Sequence, residues 1–166
     1  HLLLHHQCSP YHSHSAFFPV IEQIEQAAQL TAREAGAEKF AKLQTYLPRS
    51  TSKEQLLLIA NLLSISIENH SELSELTPQQ IKNRTISTLA DTLLAFSSQR
   101  PALCIFEDAH WLDPSTLELV ELIISRIGHA RVLLIVSCRP EFRPAWLAHG
   151  NITIHSLTRL SHAEVK

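Results

Sequence analysis

Between Leu103 and Thr116 the chain reads Leu-Cys-Ile-Phe-Glu-Asp-Ala-His-Trp-Leu-Asp-Pro-Ser-Thr. An apolar run stops at a pair of acids, and a helix start follows. Ala102 to Phe106 is continuously apolar, the habit of a central parallel strand covered on both faces. Asp113 suits an N-cap, Pro114 the first helical position, and Glu118 is expected in the first turn. Leu117, Val120, Leu122, Ile123, Ile124 and Ile127 give that helix its packing face, and Gly128 fits the C′ position. Arg131 to Ser137 reads as a second buried strand. Strand, helix and strand make one βαβ crossover, which is right-handed in nearly all cases. The fold class expected is α/β, built on a parallel sheet.

Upstream, Leu2 to His6 reads as a short strand and Cys8 to Ser15 as a polar loop. Helices are expected over Ala16–Leu30, Thr31–Tyr46 and Glu54–Ile67, with Pro48–Ser52 as a break. Asn69–Leu76 is polar and reads as mobile. Thr77-Pro78-Gln79-Gln80 is a clear helix start: Thr77 caps, Pro78 takes the first position, and Gln80 completes a capping box. That helix is expected to reach about Ser98. Ile152–Leu157 reads as a further strand. Residues 31–98 thus form a helical region inserted between the first strand and the βαβ core.

With 166 residues, 45% of them apolar, the chain has the length of one domain and enough material for a core. Charged residues are 18% and the net charge is -2, which argues against a nucleic-acid footprint. No apolar run approaches the roughly 18 residues that a membrane span requires. The 3 cysteines, Cys8, Cys104 and Cys138, are far apart. They fit a reducing, cytoplasmic setting, and Cys104 and Cys138 read as inert core thiols. Methionine is absent, which reads as a fragment or a processed piece.

Ligands of open α/β sheets bind beyond the carboxyl ends of the strands. One such end presents Glu107 and Asp108, the other Ser137-Cys138-Arg139. Acids for a Mg²⁺ ion and an arginine for a terminal phosphate are parts that phosphoryl transfer needs, so the pattern points to ATP chemistry. The third part, a Gly-x-x-x-x-Gly-Lys-[Ser/Thr] loop, occurs nowhere in the chain.

Here the pattern resembles a known family. Ala102–Leu117, an apolar strand, two acids and then His-Trp-x-Asp-Pro-Ser-Thr, is similar to the Walker B segment of the STAND class of P-loop ATPases. These are multidomain signalling ATPases related to AAA+ proteins. Val136-Ser137-Cys138-Arg139-Pro140-Glu141-Phe142-Arg143-Pro144-Ala145-Trp146 resembles their sensor strand and following loop. Residues 8–21, from Cys8-Ser9-Pro10-Tyr11 onward, resemble the segment after the second strand in a subgroup fused to class III adenylate/guanylate cyclase domains and helical repeats. Leu157-Thr158-Arg159-Leu160-Ser161 is similar to the start of the lid subdomain.

The resemblance implies one partial ATPase domain over 1–166. Its parts would be the second-strand segment and helix (1–30), the helical region (31–98), the Walker B and sensor core (99–157) and the start of a lid (158–166). It implies ATP and Mg²⁺ as ligands. Glu107 takes the metal-side acid position and Asp108 that of the acid that polarises water; the commoner order is Asp first, so the reverse assignment of the two roles stays open. Arg139, with Ser137 beside it, would read the γ-phosphate, and His110 and Trp111 would pack behind the acids. Other domains of a parent chain and a nucleotide-dependent oligomer are the partners implied. Without the phosphate loop, this chain alone is expected to bind ATP weakly or not at all.

Simpler readings stand beside these. The two acids could be solvated groups before a helix, Asp113 a structural cap, and Arg139 a partner of Glu141. His5-His6 and His12-x-His14 lie near each other but lack a Cys/His pair at zinc spacing. Ser115, His110 and Asp113 have no strained glycine elbow to make a triad. A non-catalytic scaffold that binds partner proteins is the rival to the ATP switch.

Overall fold

The computed structural model describes residues 1–66 and 71–157. Three strands form the sheet: β1 (Leu2–Gln7), β2 (Ala102–Glu107) and β3 (Val132–Val136). All are parallel, in the order β1-β2-β3, with Leu4, Cys104 and Leu134 in register. The α/β class and the central place of β2 are as the sequence indicates. β1 and β2 each run one residue further than the apolar pattern suggests.

Side chains alternate across a strand, so the register sorts them onto two faces. Leu2, Leu4 and His6 of β1 share a face with Ala102, Cys104 and Phe106 of β2, and all six are buried. The helices cover this face. In chain order the helices are α1 (Phe18–Ala27), α2 (Gly36–Tyr46), α3 (Lys53–Leu62), α4 (Ser71–Ser74), α5 (Pro78–Gln99) and α6 (Pro114–Arg126), of which α4 packs on α3 and not on the sheet. Val20 and Ile24 of α1, Ile59 of α3, Leu89, Leu93 and Phe96 of α5, and Leu119 and Ile123 of α6 join the strand residues in one core. Between α5 and α6, Arg126 pairs with Asp91 at 2.7 Å and Lys82 with Glu118 at 2.8 Å.

The opposite face departs from expectation. Leu3 is 54% exposed, Leu133 61% and Ile135 44%. β3 is therefore half-exposed where a fully buried strand was expected. Its reason lies in the topology. The crossovers β1→β2 and β2→β3 step the same way across the sheet, and crossovers of one hand then fall on one face.

Helix boundaries move for identifiable reasons. Phe17 has φ 60°, so α1 begins at Phe18 rather than Ala16, and Gln29 at φ 55° closes its end. The stretch 31–35 is not helical. Glu34 there accepts from the Thr31 hydroxyl at 2.9 Å and from Lys42 at 2.7 Å, fixing a local turn. α2 starts only at Gly36, where a Cβ would lie 2.2 Å from the Ser66 carbonyl oxygen. α3 has a capping box between Ser52 and Gln55, and Ser64 at φ 52° follows its end. The capping box expected at Thr77 and Gln80 is present.

Several further expectations are corrected. In the segment read as mobile, Leu73 is buried against Leu57 and Leu58, which anchors α4, whereas Asn69 lies outside the described residues. Glu118 lies beyond the first turn of α6. α6 ends in a 3-10 turn at Ile127–His129, and Gly128 keeps a negative φ there, so no left-handed C′ cap forms. Residues 152–157 form no strand, and Leu157 is 95% exposed: no described strand lies beside them to share a ladder. Ile67 and the lid segment 158–166 lie outside the described residues. No helix among the described residues is long and apolar enough to cross a membrane.

Candidate functional site

The carboxyl ends of the strands gather the predicted site residues on one edge. Glu107 closes β2, and strand parity sends its side chain to the open face, beside His5. Its Oε1 lies 3.4 Å from His5 Nε2, with both side chains 47% exposed. Asp108 leaves the strand sharply, at φ 54° and ψ 41°. A non-glycine residue in this region costs on the order of 1 kcal/mol, and Asp is among those that tolerate it best. The two acids therefore diverge, although they are neighbours in sequence. Glu107 sits at the rim of the open face, and Asp108 is exposed in the loop beyond the strand.

Ser137 holds this turn. Its amide donates to Phe106 O at 2.9 Å, and its carbonyl accepts from Ala109 N at 2.8 Å. Its hydroxyl oxygen accepts from the Asp108 amide at 3.1 Å. The end of β3 thus fixes the backbone of the acidic loop through Ser137. That role was not legible in the sequence, where Ser137 read as a ligand-side residue.

Behind the acids, Ala109–Trp111 form a 3-10 turn with Ala109 fully buried. His110 and Trp111 pack ring to ring at 5.0 Å, and both His110 nitrogens are buried without a hydrogen-bond partner. The Arg139 guanidinium carbon lies 5.9 Å from the Trp111 ring centroid, within cation–π range. Among the described residues Arg139 makes no ion pair, so the alternative pairing with Glu141 does not form.

Asp113 does more than cap α6. It is 3% exposed, and its Oδ1 accepts from Ser115 N at 2.9 Å and Thr116 N at 3.0 Å. Its Oδ2 accepts from the Thr116 hydroxyl and, at 3.2 Å, from the amide of Phe17, 96 positions away in sequence. The carboxylate therefore ties the loop after β1 to the loop after β2. Phe17 and Asp108, both with positive φ, stand at the two loops it joins.

The histidines disperse. His5 and His6 lie on opposite faces of the sheet; His6 is buried on Phe106 at 4.2 Å, and His12 stacks on Phe18 at 3.5 Å. Among the described residues no cluster of three His, Cys, Asp or Glu could hold a metal alone. Glu107 and Asp108 are the carboxylates at this edge that a divalent ion could use. One or two carboxylates suffice when phosphate and water oxygens fill the remaining positions. The three glycines, Gly36, Gly128 and Gly150, are far apart in sequence and form no glycine-rich loop in this chain.

The thiols also separate. Burial pushes Cys104 up to about 12. Cys8 is likewise pushed up to about 12, by burial first and then by the Asp108 and Asp113 carboxylates. Cys138 is exposed, which corrects its reading as a core thiol: it follows the strand instead of lying within it. A thiol reagent is expected to label the native protein at Cys138 alone and to reach Cys8 and Cys104 only on unfolding. Peptide mass spectrometry of labelled native and denatured samples checks this, and native labelling at Cys8 would contradict it.

Fold and site together define an α/β protein with a three-stranded parallel sheet, whose candidate site residues lie at the carboxyl edge of that sheet. Over 164 residues, 99% of its length, the chain is 24% identical to "Uncharacterized protein R02095" of Rhizobium meliloti (strain 1021), of which it covers 16%. It thus spans well under a quarter of that relative. No known family profile matches the chain, and no solved structure matches it.

Proposed function

We propose that this chain is the metal-side and sensor part of an ATP-binding switch domain of the STAND type, working within a longer signalling protein. One observation carries the reading. Ser137 at the end of β3 is bonded to Asp108 and Ala109 after β2, so the acid pair and the segment bearing Arg139 share one edge. In this reading Glu107 lies on the metal side, Asp108 orients the attacking water, and Arg139 swings from Trp111 to the terminal phosphate. Bound Mg²⁺ would neutralise charge on the phosphates; the chain's own part is to hold the acids apart at a fixed turn. The half-buried His110 and Trp111 support that turn from behind.

The second reading is a scaffold that keeps the sheet and binds proteins instead of nucleotide; a phosphate loop missing from the natural full-length polypeptide would favour it. One experiment separates the two: calorimetry of Mg-ATP and Mg-ADP on the natural full-length polypeptide, with Asp108→Asn and Arg139→Ala beside it. The switch reading expects ATP to bind about tenfold more tightly than ADP, a difference of ~1.4 kcal/mol, and Arg139→Ala to abolish that preference. A folded full-length protein that binds neither nucleotide would leave the scaffold.

A further inference from the structure

Arg139 is an exposed cation, and among the described residues it pairs with none of the acids near it in sequence or along the sheet edge. Its guanidinium carbon lies instead 5.9 Å from the centroid of the Trp111 ring. That ring is half-buried and backed by His110, whose own centroid is 5.0 Å away. Neither His110 nitrogen has a hydrogen-bond partner, so packing rather than hydrogen bonding seats His110 behind the ring.

Short backbone links fix this contact. Ser137 O accepts from Ala109 N at 2.8 Å, and Ser137 Oγ from Asp108 N at 3.1 Å. Trp111 follows Ala109 by two residues and Arg139 follows Ser137 by two, so ring and cation leave the same tie in step. Trp111 N closes its turn on Asp108 O at 2.9 Å, and Phe142 N closes the next turn on Arg139 O at 3.1 Å. Arg139 also precedes Pro140, and a residue before proline is held to extended backbone. The guanidinium therefore moves by side-chain torsions, on a backbone fixed to either side.

Only the γ-phosphate separates ATP from ADP, and on the reading proposed above it is the group that Arg139 meets. ADP leaves Arg139 over Trp111, whereas ATP has to draw it away. A contact present in one state and lost in the other opposes the ligand that breaks it by its own strength. A cation over an indole face at an exposed site is worth a factor of about three in an equilibrium. We propose that Trp111 is a positioning residue acting through Arg139: it holds the guanidinium off the acids in the empty and ADP-bound protein, and so lowers the preference for ATP over ADP by that factor. This inference rests on the nucleotide reading and deepens it, placing part of the discrimination in a ring behind the acids.

The test is calorimetry of Mg-ATP and Mg-ADP on the natural full-length polypeptide, on Trp111→Leu and Arg139→Ala, and on the double variant. Trp111→Leu is expected to raise the ratio of ATP to ADP affinity about threefold. Trp111→Met, which also lacks a π face, carries the same expectation should the leucine variant fail to fold. Trp111→Phe keeps a π face and should return most of the parent's ratio. In the Arg139→Ala background the Trp111 substitution should leave the ratio where it is, because the cation is gone. A merely structural role would weaken both nucleotides alike, and would do so in that background too. A ratio unchanged or lowered by Trp111→Leu, in a protein whose preference Arg139→Ala abolishes, overturns this proposal and leaves the nucleotide reading standing. A ratio that shifts equally with and without Arg139 overturns it as well. A folded parent that binds neither nucleotide, or whose preference survives Arg139→Ala, takes the nucleotide reading down and this inference with it.

Discussion

Replacing Asp113 with alanine is expected to cost about 4 kcal/mol of stability, a large share of the roughly 5–15 kcal/mol that a domain commonly has. Loss of an N-cap costs ~1 kcal/mol by itself. The remainder comes from donors left behind: the Phe17 amide and the Thr116 hydroxyl lose a buried acceptor, at roughly 1–3 kcal/mol each. Both bonds are in the interior, and Thr116 is fully buried, so water does not replace the carboxylate. For a chain of this size the melting temperature should fall by on the order of 10 °C. Asp113→Asn is expected to fall between the two, because one acceptor oxygen becomes a donor facing other donors.

The same substitution tests whether the tie between the two loops is real. If Asp113 acts only as a cap for α6, fraying should be confined to the first turn of that helix. If it also pins the loop after β1, the Phe17 amide should exchange far faster in Asp113→Asn while the end of α6 stays protected. Equal exchange at Phe17 in both proteins would contradict the long-range bond. The consequence for the site is direct: Asp108 is itself the strained residue of its turn, and strain of that kind persists only where the surroundings over-determine it. Asp113 and Ser137 hold that turn's surroundings from two sides.

What could be read in the sequence follows from how locally each feature is determined. The helix start at Thr77-Pro78-Gln79-Gln80 and the cap at Asp113 depend on side chains that reach three residues or fewer, and both are found. The bond from Asp113 to Phe17 spans 96 positions, and no local pattern signals it. Glu107 and Asp108 were legible as a pair, but not their divergence, which needs both the strand parity and a left-handed Asp108. β3 reads as buried because Val132-Leu133-Leu134-Ile135-Val136 is apolar throughout; which half faces open space depends on crossover direction. The helix expected from Thr31 rests on an apolar stripe that begins only at Phe40, and in the non-helical stretch 31–35 Glu34 bonds instead to Thr31 and Lys42.

Acid sensitivity of folding is expected to come in good part from one histidine. Burial pulls His6 down to about 4 from its ordinary 6.5, with His5 adding in the same direction and the Pro19 carbonyl opposing. Its Nδ1 lies 3.2 Å from Pro19 O, and its ring stacks on Phe106. Between pH 6.5 and 4 the unfolded chain therefore binds a proton at this position that the folded chain refuses. Stability rises with pH wherever the unfolded state holds more protons, so it is retained above 6.5 and lost on acidification through this window. From pH 7 to pH 5 the loss should be about 2 kcal/mol, approaching ~3 kcal/mol by pH 4. Urea unfolding at pH 7 and pH 5 measures it. His6→Phe keeps a ring against Phe106 and removes the titration, so its stability should be nearly flat across that interval whatever its absolute value. A variant that lost stability as steeply as the parent would place the acid sensitivity elsewhere and end this account of His6.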